Sequence, residues 1–271
     1  MNGVISNAIT ELNSIAVQRS DLYSNRRLSE LPREDRARLQ FRMRTFDVIA
    51  GDELYPMDSL LTDVYFPVTA VVSLFYGRRT GASSQLVGNE GFVGVDYLFG
   101  AARTECRAVV SQPGRLIAVQ ARLLASQVQL SAVSRTVLLR YAHTYFTQAT
   151  RELLCAQHRS LEQRLCDRLL LQSDRALSRE SRISLRDLGE TLCVRRQAVT
   201  DAMTQLGGDG IVEYHRGRVV ILNRPALEDR ACECHLTGRR RSRGIIAPDV
   251  NVRRSPEPLQ NRVTRTSAAP A

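Results

Sequence analysis

ISLRDLGETLCVRRQAVTDAMTQLGGDGIV, residues 183–212, reads at helical period as two short amphipathic helices joined by a tight turn. Leu185, Leu188 and Leu192 share one face of the first helix; Val199, Ala202, Met203 and Leu206 share one face of the second. Ser184 is placed to cap the first helix, with Asp187 in its first turn, where a carboxylate suits the positive end of the helix dipole. Gly189 is small and lies where the second helix must cross closely. The second helix carries Arg195, Arg196, Gln197 and Thr200 near its start, and Gly207, Gly208 and Gly210 stop it. An ordinary pair of core helices with solvated arginines would show the same pattern, so the neighbouring sequence has to decide.

Directly after Gly210, the run IVEYHRGRVVIL (211–222) reads as two strands around Arg216-Gly217, a hairpin. A helix pair followed by such a hairpin predicts a winged helix-turn-helix. A helix that is apolar on one side and rich in forked donors near its start suits the DNA major groove. The wing tip then offers His215, Arg216 and Arg218 to phosphates.

Upstream, SLEQRLCDRLLLQSDRAL (160–177) predicts a helix with Leu161, Leu165, Leu169 and Leu170 inward. Before it a long helix runs from about Ala132 to Gln157. Its Leu139, Ala142, Phe146, Ala149, Leu153 and Ala156 recur at alternating spacings of three and four, a heptad seam suited to a second copy of the chain. Packing of that seam on the chain's own barrel is the alternative. Residues 121–128 make a short helix. Between Thr45 and Gln120 the period changes: TFDVI, TDVYF, AVVSLFY, SQLVG, RAVV and RLIAV follow one another between glycines, the pattern of a small antiparallel barrel or sandwich. Residues 26–42 predict one or two short helices around Pro32, with Leu28, Leu31 and Leu39 inward.

The chain has 271 residues, enough for one large core or two modest ones. Its net charge is +10, from 38 basic and 28 acidic residues, and every basic residue is arginine. The absence of lysine removes Walker, kinase-strand and Schiff-base chemistry. The charge is uneven: residues 1–157 hold 17 arginines and 14 acids, residues 158–236 hold 13 and 12, and residues 237–271 hold 8 and 2. Most of the excess therefore lies in the Arg-, Pro- and Ser-rich tail, and bulk charge says nothing about the helix pair. A disordered basic tail could add salt-sensitive affinity for DNA or be a plain solvated end. The opening MNGVISNAIT has no basic-then-apolar pattern, and the near-apolar run Val64–Tyr76 is too short to span a bilayer. A cytoplasmic protein with reduced thiols and no membrane partner is expected.

The order of parts resembles the Crp/Fnr family of bacterial transcription regulators over roughly residues 26–236. LGETLCVRRQAVTDAMTQLGGDGIV (188–212) is similar to that family's helix-turn-helix pattern; VYFPVTAVVSLFY (64–76), VGNEGFVGVDYLFG (87–100) and ACECH (231–235) are similar to a subset not named for cyclic AMP. The resemblance implies an α+β chain: a flexible leader (1–25), an antiparallel cyclic-nucleotide-binding-like β-roll as sensor (26–130), a dimerisation helix (131–157), a winged helix-turn-helix (158–236) and a basic tail (237–271). It implies a homodimer on a palindromic operator of double-stranded DNA, with RNA polymerase as a further partner. Carried over, the base-reading positions fall at Arg195, Arg196, Gln197 and Asp201, with Thr200 beside them. Arg196 matches an arginine used on guanine, whose O6 and N7 fit a guanidinium fork. Gln197 and Asp201 depart from the family's usual Glu and Arg, and a carboxylate there either accepts from cytosine or braces Gln197 one turn back. Cys193 replaces a turn glycine, so the turn avoids the left-handed region or bears strain.

The implied effector pocket comprises Gly91, Gly94, Val95, Glu105, Cys106 and Arg107. The family's ribose-binding glutamate falls at Val95, and its phosphate-binding arginine-serine pair at Glu105-Cys106, which reverses the charge. Arg107 would serve only if the strand slipped by one residue and turned over. Cyclic AMP is therefore not expected as the effector, and the effector is left unnamed. The family's oxygen-sensing branch needs an N-terminal cysteine cluster, whereas the first cysteine here is Cys106.

Two alternatives stand beside this reading. One is a thiol- or metal-based redox sensor using Cys106 or the Cys232/Cys234 pair next to His235. Two thiolates and one imidazole fall short of a closed four-ligand zinc site, so no metal is assigned. The other is an adaptor that docks proteins on its β-roll and binds no DNA. Cys155 and Cys166 read as inert buried thiols. With four histidines and no HExxH or GxSxG, no catalytic residues and no cofactor are expected.

Overall fold

A computed structural model describes residues 17–76 and 83–232. Three short helices open it: α1 (Arg19–Ser24), α2 (Arg26–Glu30) and α3 (Arg33–Gln40). Leu28, Leu31 and Leu39 are buried, as their spacing requires. Helix α1 lies inside the span read as a flexible leader, which is a correction. Its order comes from tertiary contacts that a weak local pattern does not reveal: Leu22 is buried in the core, and the buried carboxylate of Asp21 sits 3.4 Å from Arg115. Asn25 caps α2 by accepting from the Arg27 and Leu28 amides. Its own amide donates to the carbonyls of Pro67 and Gly91, both at 2.8 Å, and so ties the helices to the sheets.

The β-roll is built from β1 (Met43–Val48), β2 (Glu53–Tyr55), β3 (Asp63–Pro67), β4 (Val71–Tyr76), β5 (Ser83–Val87), β6 (Cys106–Gln112) and β7 (Gly114–Gln120). All pairings are antiparallel, in two sheets of order β1-β7-β3 and β2-β6-β4-β5. β2 is too short to read as a strand from its residues. Along β6 the side chains alternate, with Cys106, Ala108 and Val110 inward, and this sets which face each of its residues takes. A short 3-10 helix, Val95–Phe99, follows the glycine turn.

Helices α4 (Ala121–Leu130) and α5 (Ala132–His158) come next. α5 is two-faced. Val137, Leu138, Tyr141 and Ala142 are buried against the chain's own β-roll, whereas Leu139, Phe146 and Leu153 are exposed, Phe146 to 69%. Ala142 is therefore a correction to the seam: it faces inward, because it lies one turn after the fully buried Leu138 and shares that face of the helix. Ala149 is half-buried.

α5 ends at His158, Arg159 is extended, and Ser160 opens α6 (Leu161–Ala176) with a capping box to Gln163. The C-terminal unit continues with β8 (Glu180–Arg182), α7 (Leu185–Leu192), α8 (Arg196–Gly208), β9 (Val212–His215), β10 (Arg218–Ile221) and α9 (Arg224–Arg230). Its core gathers Leu165 and Leu170 of α6, Leu188 of α7, Val199 and Leu206 of α8 and Val219 of the hairpin. The sheet order is β8-β10-β9, one strand more than the hairpin that the sequence predicts. The wing turn has Arg216 at φ 46° and Gly217 at φ 79°, two successive positive values that match the twist of a two-residue hairpin.

A polar network joins the units. Gln85 of β5 and Gln148 of α5 donate to Glu152 at 3.2 and 2.9 Å. Arg175 of α6 pairs with Glu90 at 3.0 Å and donates to Gln148 at 2.9 Å. Burial pushes the Glu152 carboxyl up to about 7 against the opposing pull of Gln148, Arg168 and Arg175.

Candidate DNA interface

The helix pair is held by its caps. Ser184 accepts from the Asp187 amide at 3.1 Å while the Asp187 carboxylate accepts from the Ser184 amide, a reciprocal box that fixes the start of α7. α7 ends on Cys193, which takes the left-handed conformation at φ 55°, ψ 43°. Of the two options for that position, the chain adopts the strained one. The Val194 amide then bonds the Gly189 carbonyl at 2.9 Å, and Arg164 of α6 donates to the Leu192 carbonyl, so the freed end of α7 is satisfied. A Cβ on Gly189 would meet the Val194 carbonyl at 3.1 Å, a tight contact, so the turn passes close over this glycine.

α8 begins at Arg196, with Arg195 as the residue before its first turn. Val199, Met203 and Leu206 are buried and anchor it. Arg195, Arg196, Gln197 and Asp201 are exposed on the opposite side. Gln197 Nε2 donates to Asp201 Oδ1 at 2.8 Å, so the acid braces the amide one turn back. Thr200 is half-buried and its hydroxyl bonds the Arg196 carbonyl at 3.0 Å. On the wing, His215, Arg216 and Arg218 are exposed, and Arg218 lies 3.2 Å from Glu180 of β8. Among the described residues no carboxylate pairs with Arg195, Arg196 or Arg216. The surface is thus a helix edge that presents the guanidinium groups of Arg195 and Arg196 beside a braced amide, flanked by a basic turn.

In the β-roll, Gly91 packs so closely on α5 that an added Cβ would lie 2.1 Å from the Tyr141 hydroxyl. Gly94 is left-handed at φ 99°, and Val95 is buried. Cys106 faces the interior, with its sulfur 3.9 Å from the Tyr55 hydroxyl, and Tyr76 and Tyr145 join their hydroxyls at 2.6 Å beside it. Arg107 projects from the other face of β6, 4.9 Å over the Phe75 ring and 3.9 Å from Glu53. It pairs in register with Phe75 while Cys106 pairs with Tyr76, so no slip brings it inward. Glu105 is exposed, and burial followed by the nearby Glu105 charge raises the Asp96 carboxyl.

Residues 163–230 match the Crp-like helix-turn-helix domain family. The C-terminal unit carries a Crp-like helix-turn-helix domain. No curated protein matches it in sequence. Its fold is shared with solved structures. FixK2 from Bradyrhizobium japonicum is 19% identical, with a TM-score of 0.60 over 70% of this chain and 98% of that one. A CRP-family transcriptional regulator from Thermus thermophilus is 16% identical, with a TM-score of 0.58 over 68% and 95%. The c-di-GMP responsive regulator CLP from Xanthomonas campestris is 14% identical, with a TM-score of 0.57 over 70% and 99%. The domain match covers the helix pair and the wing; the distant structures carry the architecture, a β-roll, a long helix and a C-terminal helix-turn-helix.

The redox-sensor alternative is not favoured. Burial, then the nearby Asp96 charge, pushes the Cys106 thiol up to about 11, where it stays protonated and unreactive at neutral pH. Cys232 is buried, and Cys234 and His235 lie outside the described residues, as does the 237–271 tail. Among the described residues no helix is long and apolar enough to cross a membrane. Sequence reasoning missed Arg164, whose bond closes the turn of the helix pair, and Glu180, which holds Arg218. Neither has a local pattern, since each acts on an element more than twenty residues away.

Proposed function

We propose that the chain acts in the cytoplasm as a homodimer on a palindromic operator, through the exposed apolar side chains of Leu139, Phe146 and Leu153 on α5. The two α8 helices then enter adjacent major grooves about 34 Å apart. Arg195, Arg196, Gln197, Thr200 and Asp201 face the bases, while Arg216 and Arg218 take phosphates. The observation that carries this reading is the row of exposed side chains at the start of α8, whose arginines have no ion-pair partner among the described residues. Side chains with no task in the chain's own stability are the ones free to read a partner.

An effector in the β-roll near Gly91, Gly94, Val95 and Cys106 sets the relative pose of the two DNA-binding units by rotation about the Arg159–Ser160 turn. The acids at positions 96 and 105 repel a phosphate, so cyclic AMP is not that effector. RNA polymerase is a further partner, and the basic tail adds sequence-blind affinity. Selection of bound DNA from a random pool tests the reading. A two-fold symmetric consensus, lost in Arg195→Ala/Arg196→Ala, is expected. A pool that comes through without enrichment overturns it.

A further inference from the structure

Three side chains far apart in sequence converge where the DNA-binding unit meets the long helix. Cys155 lies in the last turn of α5, Asp167 in α6, and Cys232 just past α9. The two sulfurs are 3.6 Å apart, and one atom from each of the three residues lies within 4.8 Å of the others. Neither cysteine is in a disulfide; Cys232 is buried, and Cys155 and Asp167 are half-buried.

We propose that Cys155, Asp167 and Cys232 bind a thiophilic divalent cation, Zn2+ by chemistry, which staples the end of α5 to the DNA-binding unit. Two thiolates each about 2.3 Å from one tetrahedral ion sit about 3.8 Å apart, so the sulfurs are already at the spacing that zinc requires. A carboxylate oxygen completes a three-sided cup, and a fourth position is left for solvent or a further ligand. Two soft sulfurs with one oxygen select zinc over magnesium or calcium, which prefer all-oxygen sites. The Cys232 amide donates to Asp167 Oδ1 at 3.0 Å, the kind of outer support that orients a metal carboxylate.

The site differs from the Cys232/Cys234 pairing read in the sequence, and it involves no change of oxidation state. Its ligands come from both sides of the Arg159–Ser160 turn. An ion held there restricts the motion of the DNA-binding unit relative to α5. Binding removes the two thiol protons to solvent as the Zn–S bonds form, so affinity rises with pH.

Titration of the reduced full-length chain with Co2+, an optical stand-in for zinc, tests the site without using DNA. One equivalent per chain is expected to give sulfur-to-cobalt charge-transfer absorption and tetrahedral d–d bands, both displaced by Zn2+. Cys155→Ser and Cys232→Ser should each weaken binding at least tenfold and reduce the charge-transfer intensity, and Asp167→Asn should shift the d–d bands, while Cys193→Ser changes nothing. Zn2+ should also raise the thermal midpoint of the wild type and not that of Cys155→Ser, with far-ultraviolet circular dichroism confirming that the variants fold. Absence of the bands in the wild type, or their persistence in Cys155→Ser/Cys232→Ser, overturns the proposal.

Discussion

Gln197 and Asp201 are bound to each other across one turn of α8, amide to carboxylate at 2.8 Å. An exposed bond of this kind contributes only about 0.2–0.5 kcal/mol, so its effect is on orientation rather than stability. The carboxylate fixes which way the amide points, and hence whether a base edge meets a donor or an acceptor. Asp201→Ala is expected to leave folding unchanged and to relax preference at the base pair under Gln197. It should also strengthen binding to all sequences, because a negative charge near phosphates is removed. Competition mobility shifts with operator variants and with unrelated DNA separate the two effects. Arg196→Ala should instead cost about 1–3 kcal/mol at one position of the operator.

Cys193 in the left-handed region carries a side-chain penalty of about 1–2 kcal/mol that glycine does not. Glycine returns part of that gain through the greater freedom of the unfolded chain, about 0.4–1 kcal/mol. Cys193→Gly should therefore stabilise the chain by up to about 1.5 kcal/mol, and the β-branched Cys193→Val should destabilise it. Urea unfolding of the three forms tests the order Gly, Cys, Val.

Leu139, Phe146 and Leu153 project from α5 on the side away from the β-roll, and each would contribute about 1.5–3 kcal/mol if fully buried against a second copy. Phe146→Asp/Leu153→Asp should give a folded monomer by light scattering, because these side chains are not part of the chain's own core. Operator affinity should fall more than a hundredfold. A variant that stays dimeric places the partner elsewhere.

The Glu152 carboxyl titrates near 4.5 when free and near 7 in the folded chain, chiefly through burial. Between those values the folded chain holds more protons than the unfolded one. Stability therefore falls as pH rises from about 4.5 to 7 and levels off above, by roughly 3 kcal/mol. Glu152→Gln should flatten this stretch of the profile and be the more stable form at pH 8. Denaturant midpoints measured from pH 5 to pH 8 check the slope and its loss.

The order of elements was legible because its signals are local. Period 3.6 over residues 183–206, a hairpin around Arg216-Gly217 and glycine-punctuated strands each follow from neighbours within one or two turns of chain. Exposure of Arg195 and Arg196 follows from the same period, since Val199, Met203 and Leu206 take the buried face. Tertiary contact settled the rest. Helix α1 is ordered by Asp21 reaching Arg115, Ala142 turns inward with Leu138 because the β-roll core packs on that face of the long helix, and β8 joins the wing only where β10 is there to pair with it. The Cys155–Cys232 approach spans 77 positions, and nothing in the intervening residues records it. Local periodicity says which face of an element is apolar, whereas the partner of that face is chosen by the packing of the whole chain.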